Sequence, residues 1–248
     1  MFSEQLLNRL ANAESVAILT GAGVSAESGV PTFRDPGGLW EQFRPEELAN
    51  FDAFMRNPVL VSSWYAYRRE IIRSVEPNPG HYAIAEMETL FDDFTLITQN
   101  VDNLHRRAGS VHVVELHGNI MRNYCLDCRR EYTDMPEHDK DTAPRCTECG
   151  GLIRPDVVWF GELLPQDAVR EAEQATRRAD VFFSIGTSAI VYPAAGLPHT
   201  AREHGAYVVE INPSDTDFTP YAQEVIKGPS GTVMPRLVEA VKRMRNTA

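Results

Sequence analysis

The stretch SVAILTGAGVSAESG, residues 15–29, decides the fold. It begins with a mostly apolar run of strand length, and a glycine-rich loop follows that run directly. Gly21 and Gly23 permit a tight turn and would let the backbone approach a pyrophosphate group closely. The stretch therefore predicts a buried strand followed by a nucleotide-binding loop, with a plain tight turn as the alternative for the two glycines.

Short apolar runs alternate with helical patterns along the rest of the chain. Runs rich in Val, Ile, Leu and Phe are found at 94–100, 111–118, 180–188 and 206–214. Helical patterns are found near 78–91, 165–178, 192–204 and 231–245. Strands buried on both faces read as continuous apolar runs, and parallel strands need helical crossovers. The alternation therefore predicts an α/β fold built on a doubly wound, mostly parallel sheet.

Two stretches interrupt this alternation. Residues 45–74 have a helical pattern with no strand between them, and residues 119–154 carry all the cysteines. Both read as insertions that together form a smaller domain. We therefore assign 1–44, 75–118 and 155–248 to the large domain, and we expect a ligand in the crevice between the two domains.

The four cysteines form two CxxC pairs, Cys125 with Cys128 and Cys146 with Cys149, and seventeen residues separate the pairs. This spacing is typical of a structural zinc site, in which two tight turns each offer two thiolates to one tetrahedral ion. Because all the cysteines are used in this way, the chemistry of the protein must come from other residues.

The composition limits which binding partners and which cellular compartment are expected for the protein. The formal net charge of −11 argues against nonspecific binding to nucleic acid, which needs clustered Lys and Arg. The same charge is compatible with basic protein substrates, or it only aids solubility. No apolar run is long enough to span a membrane, and the N-terminus lacks the pattern of a signal peptide. Together with the reduced cysteines this predicts a cytoplasmic protein, for which a monomer is compatible with the sequence.

Polar side chains follow the predicted strands where each strand ends. In open α/β sheets ligands bind at the carboxyl ends of the strands, and amides and small hydroxyl residues suit a ribose. His117 stands at such an end with a glycine after it, and a histidine is the usual general base for a hydroxyl. A satisfied structural histidine is the alternative. The polar residues at these ends are Gln99, Asn100, Asp102, His117, Gly186, Thr187, Ser188, Asn212 and Ser214.

The loop at 31–40 differs from that of an ordinary dehydrogenase. An acidic residue at the end of a second strand would be expected about 20 positions after the glycines, but a Pro- and Gly-rich loop stands there. Its Arg34 can cap phosphates and its Phe33 can cover a ring. A surface loop with a salt-bridged arginine is the alternative.

Six motifs resemble those of the sirtuin family of NAD-dependent protein deacylases. They occur in the family's order and cover nearly the whole chain, so the resemblance is specific. The motifs are GAGVSAESGVPTFRD (21–35), TQNVDNLHRRAG (98–109), LHG (116–118), the two CxxC pairs, GTS (186–188) and INPS (211–214).

The resemblance implies a Rossmann-like NAD domain and a small zinc domain, with acyl-lysine and NAD entering the cleft from opposite sides. It gives His117 the role of the base that deprotonates a ribose hydroxyl, and it makes the zinc structural. It places Asn100 and Asp102 around the nicotinamide and Ser25 and Arg34 at the phosphates. The expected NAD contacts are Gly21, Ala22, Gly23, Ser25, Ala26, Phe33, Arg34, Gln99, Asn100, Asp102, Gly186, Thr187, Ser188, Asn212 and Ser214.

The stretch SSWYAYRREII, residues 62–72, places Tyr65 and Arg68 three positions apart on one helix face. An arginine with a phenolic hydroxyl is a good receptor for a carboxylate. The spacing resembles the sirtuin subgroup that removes succinyl, malonyl or glutaryl groups, and Ala26 would leave room for a longer acyl chain. A surface helix with stacked side chains is the alternative.

The sequence thus predicts an enzyme that removes succinyl or malonyl groups, and also acetyl groups, from lysines of proteins or peptides. The products would be nicotinamide and 2′-O-acyl-ADP-ribose. The alternatives are a plain NAD-dependent deacetylase, a mono-ADP-ribosyltransferase with the same NAD site, and a non-catalytic NAD-sensing or zinc-ribbon module.

Overall fold

The computed structural model describes residues 2–30, 48–139 and 141–245. Phe33 and Arg34 lie outside the described residues. The strands are β1 Ser15–Thr20, β2 Asp93–Thr98, β3 Val113–Glu115, β4 Gly118–Cys125, β5 Glu131–Tyr132, β6 Ile153–Val157, β7 Val181–Ile185, β8 Tyr207–Asn212 and β9 Glu224–Lys227. The helices are α1 Glu4–Asn12, α2 Gly23–Ala26, α3 Phe51–Arg56, α4 Pro58–Ser74, α5 Pro79–Glu88, α6 Leu104–Arg107, α7 Gln166–Arg178, α8 Leu197–Glu203 and α9 Ser230–Arg245.

A parallel sheet of six strands forms the centre of the larger part of the molecule. Its strand order is β3-β2-β1-β7-β8-β9, and every neighbouring pair is parallel. This is the order of a doubly wound dinucleotide-binding sheet, in which the direction of winding reverses between the two central strands. The predicted fold class is confirmed, and the sequence prediction lacked only β9, a short edge strand.

Helices cover both faces of this sheet because its central strands are apolar throughout. In β1, Val16 and Ile18 pack with α1, α5 and α9 on one face. Ala17 and Leu19, which point the other way, pack with α7 and α8 on the opposite face. The strand thus contributes to two cores at once, which explains why the sequence shows a continuous apolar run rather than alternation.

A second, three-stranded antiparallel sheet has the order β5-β4-β6. Its side chains pack with α3 and α4 in a separate core that contains Phe54, Tyr65, Ile120 and Trp159. The sequence prediction placed helices and cysteines in this part of the chain but missed the sheet. The proposed domain boundaries at 118/119 and 154/155 fall at the start of β4 and inside β6, and that division stays a prediction.

The predicted strand at 111–118 is wrong at its carboxyl end. The strand β3 ends at Glu115, and the antiparallel β4 begins at Gly118. Gly118 has a φ of +77°, and a Cβ atom there would lie 2.1 Å from the carbonyl oxygen of Asp156. Only glycine can occupy this reversal, which carries the chain from the parallel sheet into the second sheet.

Across the ranges that the structure describes, no helix combines the length and the apolar character needed to cross a bilayer.

Gly186 follows β7 and packs against the glycine-rich loop, and its replacement by alanine tests this contact. Gly186 has a φ of +60°, and an added Cβ atom would lie 2.5 Å from the backbone nitrogen of Val24. Gly205 has a φ of +94° with nothing within 4 Å of such an atom, so it is the matched control. We expect Gly205→Ala to lower the free energy of unfolding by about 1 kcal/mol, from backbone strain alone. Gly186→Ala should lower it by about 3 kcal/mol or more, because strain and a backbone clash combine.

Urea denaturation followed by circular dichroism measures both losses. Equal losses in the two variants would contradict the close contact at Gly186.

Candidate functional site

The glycine-rich loop after β1 packs backbone to backbone against the turn after β7. The backbone N–H of Gly21 donates to the carbonyl of Ile185 at 3.1 Å, and that of Gly23 donates to the carbonyl of Gly186 at 2.8 Å. A Cβ atom on Gly23 would lie 2.8 Å from the Cα atom of Gly186. The strands β1 and β7 flank the reversal of the sheet, and in open α/β sheets ligands bind at the carboxyl ends of such strands.

Ser25, Asn100 and Asp102 form one hydrogen-bonded cluster beside this loop. The Ser25 hydroxyl donates to Oδ2 of Asp102 at 2.7 Å. The Asn100 side-chain amide donates to the carbonyl of Gly21 at 3.0 Å and lies 3.3 Å from the Ser25 hydroxyl. The backbone N–H of Leu104 donates to Oδ1 of Asp102 at 2.9 Å. Ser25 is thus fixed beside Asn100 and Asp102, which are 75 and 77 positions away in the sequence.

Asp102 is a buried carboxyl group with only 5% of its surface exposed. Burial raises its pKa above the ordinary value, because the charged form loses its hydration. The bonds from Leu104 and Ser25 and the positive charges of Arg68 and Arg107 oppose that rise. The interaction with Arg68 links this cluster electrostatically to α4.

Two buried histidines, which the sequence analysis did not single out, lie beside the cluster. His81, in the first turn of α5, has its Nε2 atom 3.3 Å from the Ser25 hydroxyl. His105, on α6, has its Nε2 atom 2.9 Å from the Thr20 hydroxyl, and the two imidazole rings are 4.9 Å apart. Burial lowers the pKa of His81 to about 4 and that of His105 well below its ordinary value. Both rings are therefore neutral near pH 7.

His117 is half-buried, and its Nδ1 atom lies 3.0 Å from the backbone carbonyl of Gln99. A carbonyl oxygen only accepts hydrogen bonds, so Nδ1 carries the proton of the neutral ring and Nε2 carries the lone pair. Burial lowers the pKa of His117, and the bond to Gln99 partly opposes this. The ring is therefore neutral near pH 7 and presents a basic nitrogen, as a general base requires.

The ends of β2, β7 and β8 contribute a row of amides and hydroxyls. The side chain of Gln99 donates to the Thr187 hydroxyl at 3.1 Å, and that of Asn212 donates to the Thr187 carbonyl at 2.8 Å. Ser188 is half-buried, whereas Ser214 is exposed. Because these groups converge on the turn after β7, they can bind the hydroxyls of a ligand that lies across the strand ends.

The remaining residues of the predicted loop are less enclosed. Ala22 is half-buried between the two close-packed glycines, and Ala26 is exposed at the end of α2. The helix α2 is held from below by Asn78, whose side-chain amide donates to the carbonyl of Val24 at 2.8 Å. The amino end of α5 thus fixes the glycine-rich loop.

Tyr65 and Arg68 lie on the buried face of α4, with 1% and 8% of their surfaces exposed. The guanidinium carbon of Arg68 lies 4.7 Å from the ring centroid of Trp64 and 5.6 Å from that of Tyr65. The Tyr65 oxygen accepts a hydrogen bond from Nε1 of Trp159 at 2.8 Å. Such burial argues against the alternative of a surface helix for these two side chains.

The four cysteine sulfurs lie within 4.8 Å of one another. The Cys125 and Cys149 sulfurs are 3.5 Å apart, as are those of Cys128 and Cys146. A zinc ion bound tetrahedrally at about 2.3 Å from each sulfur would separate the sulfurs by about 3.8 Å. The donor set and its spacing therefore fit one structural zinc ion with no open coordination position.

The two CxxC turns have the same backbone geometry. The N–H of Arg129 donates to the carbonyl of Cys125, and the N–H of Gly150 donates to the carbonyl of Cys146. Arg129 and Gly150 both have positive φ angles, of 62° and 76°. The phenol of Tyr132, on β5, also donates to the Cys146 sulfur at 3.1 Å. Each turn therefore directs its two sulfurs toward one point. The hydrogen bond from Tyr132 on β5 orients one of these sulfurs, that of Cys146.

Removing one sulfur tests the zinc assignment. We expect wild-type protein to contain one zinc ion per chain, and Cys128→Ser to lose most of it and to melt at a lower temperature. Tyr132→Phe, which removes only the supporting bond, should keep its zinc but release it faster to a chelator. Elemental analysis and a colorimetric release assay measure these outcomes, and full zinc content in Cys128→Ser would refute the assignment.

Known proteins resemble this chain over nearly its whole length. The NAD-dependent protein deacylase 2 of Pyrobaculum aerophilum is 54% identical over 239 residues, which cover 96% of this chain and 95% of the relative. A Sir2 homologue solved in complex with NAD is 46% identical, covers 98% of this chain and 95% of its own, and superimposes with a TM-score of 0.92. A variant of a Sir2 homologue in complex with ADP-ribose is 45% identical, covers 100% of this chain and 99% of its own, and has a TM-score of 0.94.

The sequence model of the Sir2 family matches residues 21–193. That range contains the glycine-rich loop, the Ser25 cluster, His117 and all four cysteines. On the family match, the relatives and the shared fold, the chain belongs to the Sir2 family, the sirtuins.

Proposed function

We propose that this protein is an NAD-dependent protein-lysine deacylase that favours acyl groups ending in a carboxylate. The observation that carries the deacylase function is the bond between Nδ1 of His117 and the Gln99 carbonyl, which leaves Nε2 as the basic atom next to the amides and hydroxyls at the strand ends. Its relatives are named NAD-dependent protein deacylases, which supports the same reaction for this chain.

The residues at the strand ends fit NAD as the co-substrate. The glycine-rich loop packs closely on the turn after β7 at the reversal of the sheet, and Gln99, Thr187, Ser188 and Asn212 offer groups that can bind ribose hydroxyls. Bound NAD supplies a ribose carbon from which nicotinamide leaves, so that the acyl group ends on ADP-ribose. In this proposal the acyl-lysine enters between the large domain, 1–44, 75–118 and 155–248, and the small domain.

His117 serves as the base in this proposal. The bond from Nδ1 to the Gln99 carbonyl fixes the orientation of the ring, so Nε2 can take a proton from a ribose hydroxyl without a tautomeric change. Asn100 and Asp102 are held by Gly21, Ser25 and Leu104 and shape the wall beside the reacting carbon. His81 and His105, which are neutral near pH 7, add no positive charge to this wall.

The preference for an acidic acyl group rests on Tyr65 and Arg68. Burial raises the pKa of Tyr65, so the phenol keeps its proton and can donate a hydrogen bond to a carboxylate. Burial lowers the pKa of Arg68 below its ordinary value, and an added carboxylate would oppose that effect. A guanidinium beside a phenolic hydroxyl offers two kinds of donor to one anion.

A plain deacetylase is the second candidate, and one observation favours it. Asp102 already interacts favourably with Arg68 inside the protein, so the charge of Arg68 is in part compensated without an acidic acyl group. The two candidates differ in the acyl group that the enzyme handles faster.

Replacement of Arg68 by methionine decides between them. We expect the wild-type enzyme to have a higher kcat/KM on a succinyl-lysine peptide than on the matched acetyl-lysine peptide. Arg68→Met should lower this succinyl-to-acetyl ratio about 10- to 100-fold, because a charge-assisted hydrogen bond is lost. Product formation with time, followed by mass spectrometry in the presence and absence of NAD, measures both rates.

Arg69 provides the matched control. It is the next residue of α4, it is also buried, and it donates to the side chain of Asn123 at 3.2 Å. Arg69→Met should keep the wild-type ratio. Equal losses of both activities in Arg68→Met, or a ratio that falls as far in Arg69→Met, would refute the carboxylate receptor.

The pH dependence tests His117. Its pKa is lowered from the ordinary value of 6.5, and activity requires the unprotonated ring. The acidic limb of kcat/KM should therefore have its midpoint below pH 6.5 and lose activity as the pH falls through it. His117→Ala should lower kcat about 10²- to 10⁴-fold while NAD still binds, as measured by calorimetry. A midpoint above 6.5, or a variant that keeps full activity, would contradict the assignment of His117 as the base.

A further inference from the structure

Trp159 donates one hydrogen bond to Tyr65, and the two rings also lie near each other with their centroids 6.3 Å apart. Its Nε1 atom lies 2.8 Å from the Tyr65 oxygen, and both side chains are almost fully buried, with 2% and 1% of their surfaces exposed. An indole nitrogen only donates, so the Tyr65 oxygen is the acceptor in this bond. The proton of the Tyr65 hydroxyl must therefore point elsewhere, and within the described ranges it has no acceptor.

The surrounding side chains hold Trp159 in this position. The guanidinium carbon of Arg154 lies 3.5 Å from the centroid of the Trp159 ring, and Phe54 packs on the ring at a centroid distance of 5.2 Å. Arg154 is paired with Glu162, whose carboxylate accepts a hydrogen bond from the backbone N–H of Trp159 at 2.8 Å. Ring stacking and the hydrogen bond of the Trp159 backbone N–H thus fix the orientation of the indole. Its side-chain N–H therefore points at the Tyr65 oxygen.

We propose that Trp159 is a positioning residue that sets the acyl specificity through Tyr65. The indole N–H occupies an acceptor site on the phenolic oxygen. The Tyr65 hydroxyl is therefore left to donate a hydrogen bond to the carboxylate of the acyl group. This inference rests on the proposed preference for acidic acyl groups and assigns that preference to three side chains, Tyr65, Arg68 and Trp159.

The arrangement of Trp159 and Tyr65 favours an acyl group whose far end accepts a hydrogen bond. A phenol that is free to rotate can donate to an acceptor or accept from a donor with equal ease. With the indole bound, Tyr65 is prepared to donate, and burial raises its pKa so that the proton stays on the oxygen. A carboxylate gains from this preorganisation, whereas an acetyl group has no terminal group for it to act on.

A double-mutant cycle tests the inference. Trp159→Phe keeps an aromatic ring but removes the N–H group, and Tyr65→Phe removes its acceptor. We expect Trp159→Phe to lower the succinyl-to-acetyl ratio of kcat/KM about 5- to 10-fold, mainly by raising KM for the succinyl peptide. In the Tyr65→Phe background the same change should lower the ratio no further, because the hydrogen bond is already absent.

Trp64 provides the matched control. It packs edge-on against Tyr65 with ring centroids 4.7 Å apart, yet its buried indole nitrogen has no hydrogen-bond partner in the part of the chain that the structure describes. Trp64→Phe therefore reports the effect of a smaller ring, including its contact with Arg68, without the loss of a hydrogen bond to Tyr65. Substitution of Trp159 by benzothienylalanine, which keeps the shape of the indole and lacks the N–H, covers the case in which Trp159→Phe does not fold.

The outcomes separate the two proposals. A fall in the ratio for Trp159→Phe with a non-additive cycle supports the inference, and Trp64→Phe shows the effect of a smaller ring beside Arg68. A full further fall in the Tyr65→Phe background, or a Trp159→Phe variant that keeps the wild-type ratio, would show that the N–H of Trp159 does not act through Tyr65 and would overturn the inference. A wild-type enzyme without any succinyl preference would instead overturn the proposed acyl preference, and this inference with it.

Discussion

The contact between Gly21, Gly23 and Gly186 is the constraint on which the rest of the site depends. Two backbone hydrogen bonds join the loop after β1 to the turn after β7, and a Cβ atom on any of the three glycines would collide with the other segment. This contact lies at the reversal of the sheet, where the carboxyl ends of β1 and β7 meet. The Asn100 amide then bonds to the Gly21 carbonyl, so the Ser25 cluster takes its position from the same loop.

The second part of the site is carried by a different sheet. The reversal at Gly118 places β4 directly after His117, and the backbone N–H of Val158, just after β6, donates to the His117 carbonyl at 3.0 Å. The same sheet holds the four cysteines at its far end and positions Trp159 against Tyr65. A zinc ion bound there would therefore support the proposed acyl-binding side chains through β4 and β6, without taking part in the reaction.

The sequence predicted those features whose signal is local. The buried strands, the glycine-rich loop and the CxxC pairs each depend on neighbouring residues, and the structure places them as expected. His81 and His105 were missed because tertiary packing alone brings them under Ser25. The antiparallel sheet was missed because β4 and β6 are partly polar, and the role of Trp159 depends on a contact with Tyr65 across 94 positions of sequence. Phe33 and Arg34 lie outside the described residues, so their roles stay predictions.

The central claim is that the acyl group of a lysine is transferred to ADP-ribose. The most direct measurement is mass spectrometry of all products after the protein, NAD and a succinyl-lysine peptide are incubated together. The account predicts free lysine on the peptide, nicotinamide, and succinyl-ADP-ribose in solution, in equal amounts. ADP-ribose attached to the peptide or the protein, with the succinyl group still on lysine, would contradict it and indicate an ADP-ribosyltransferase instead.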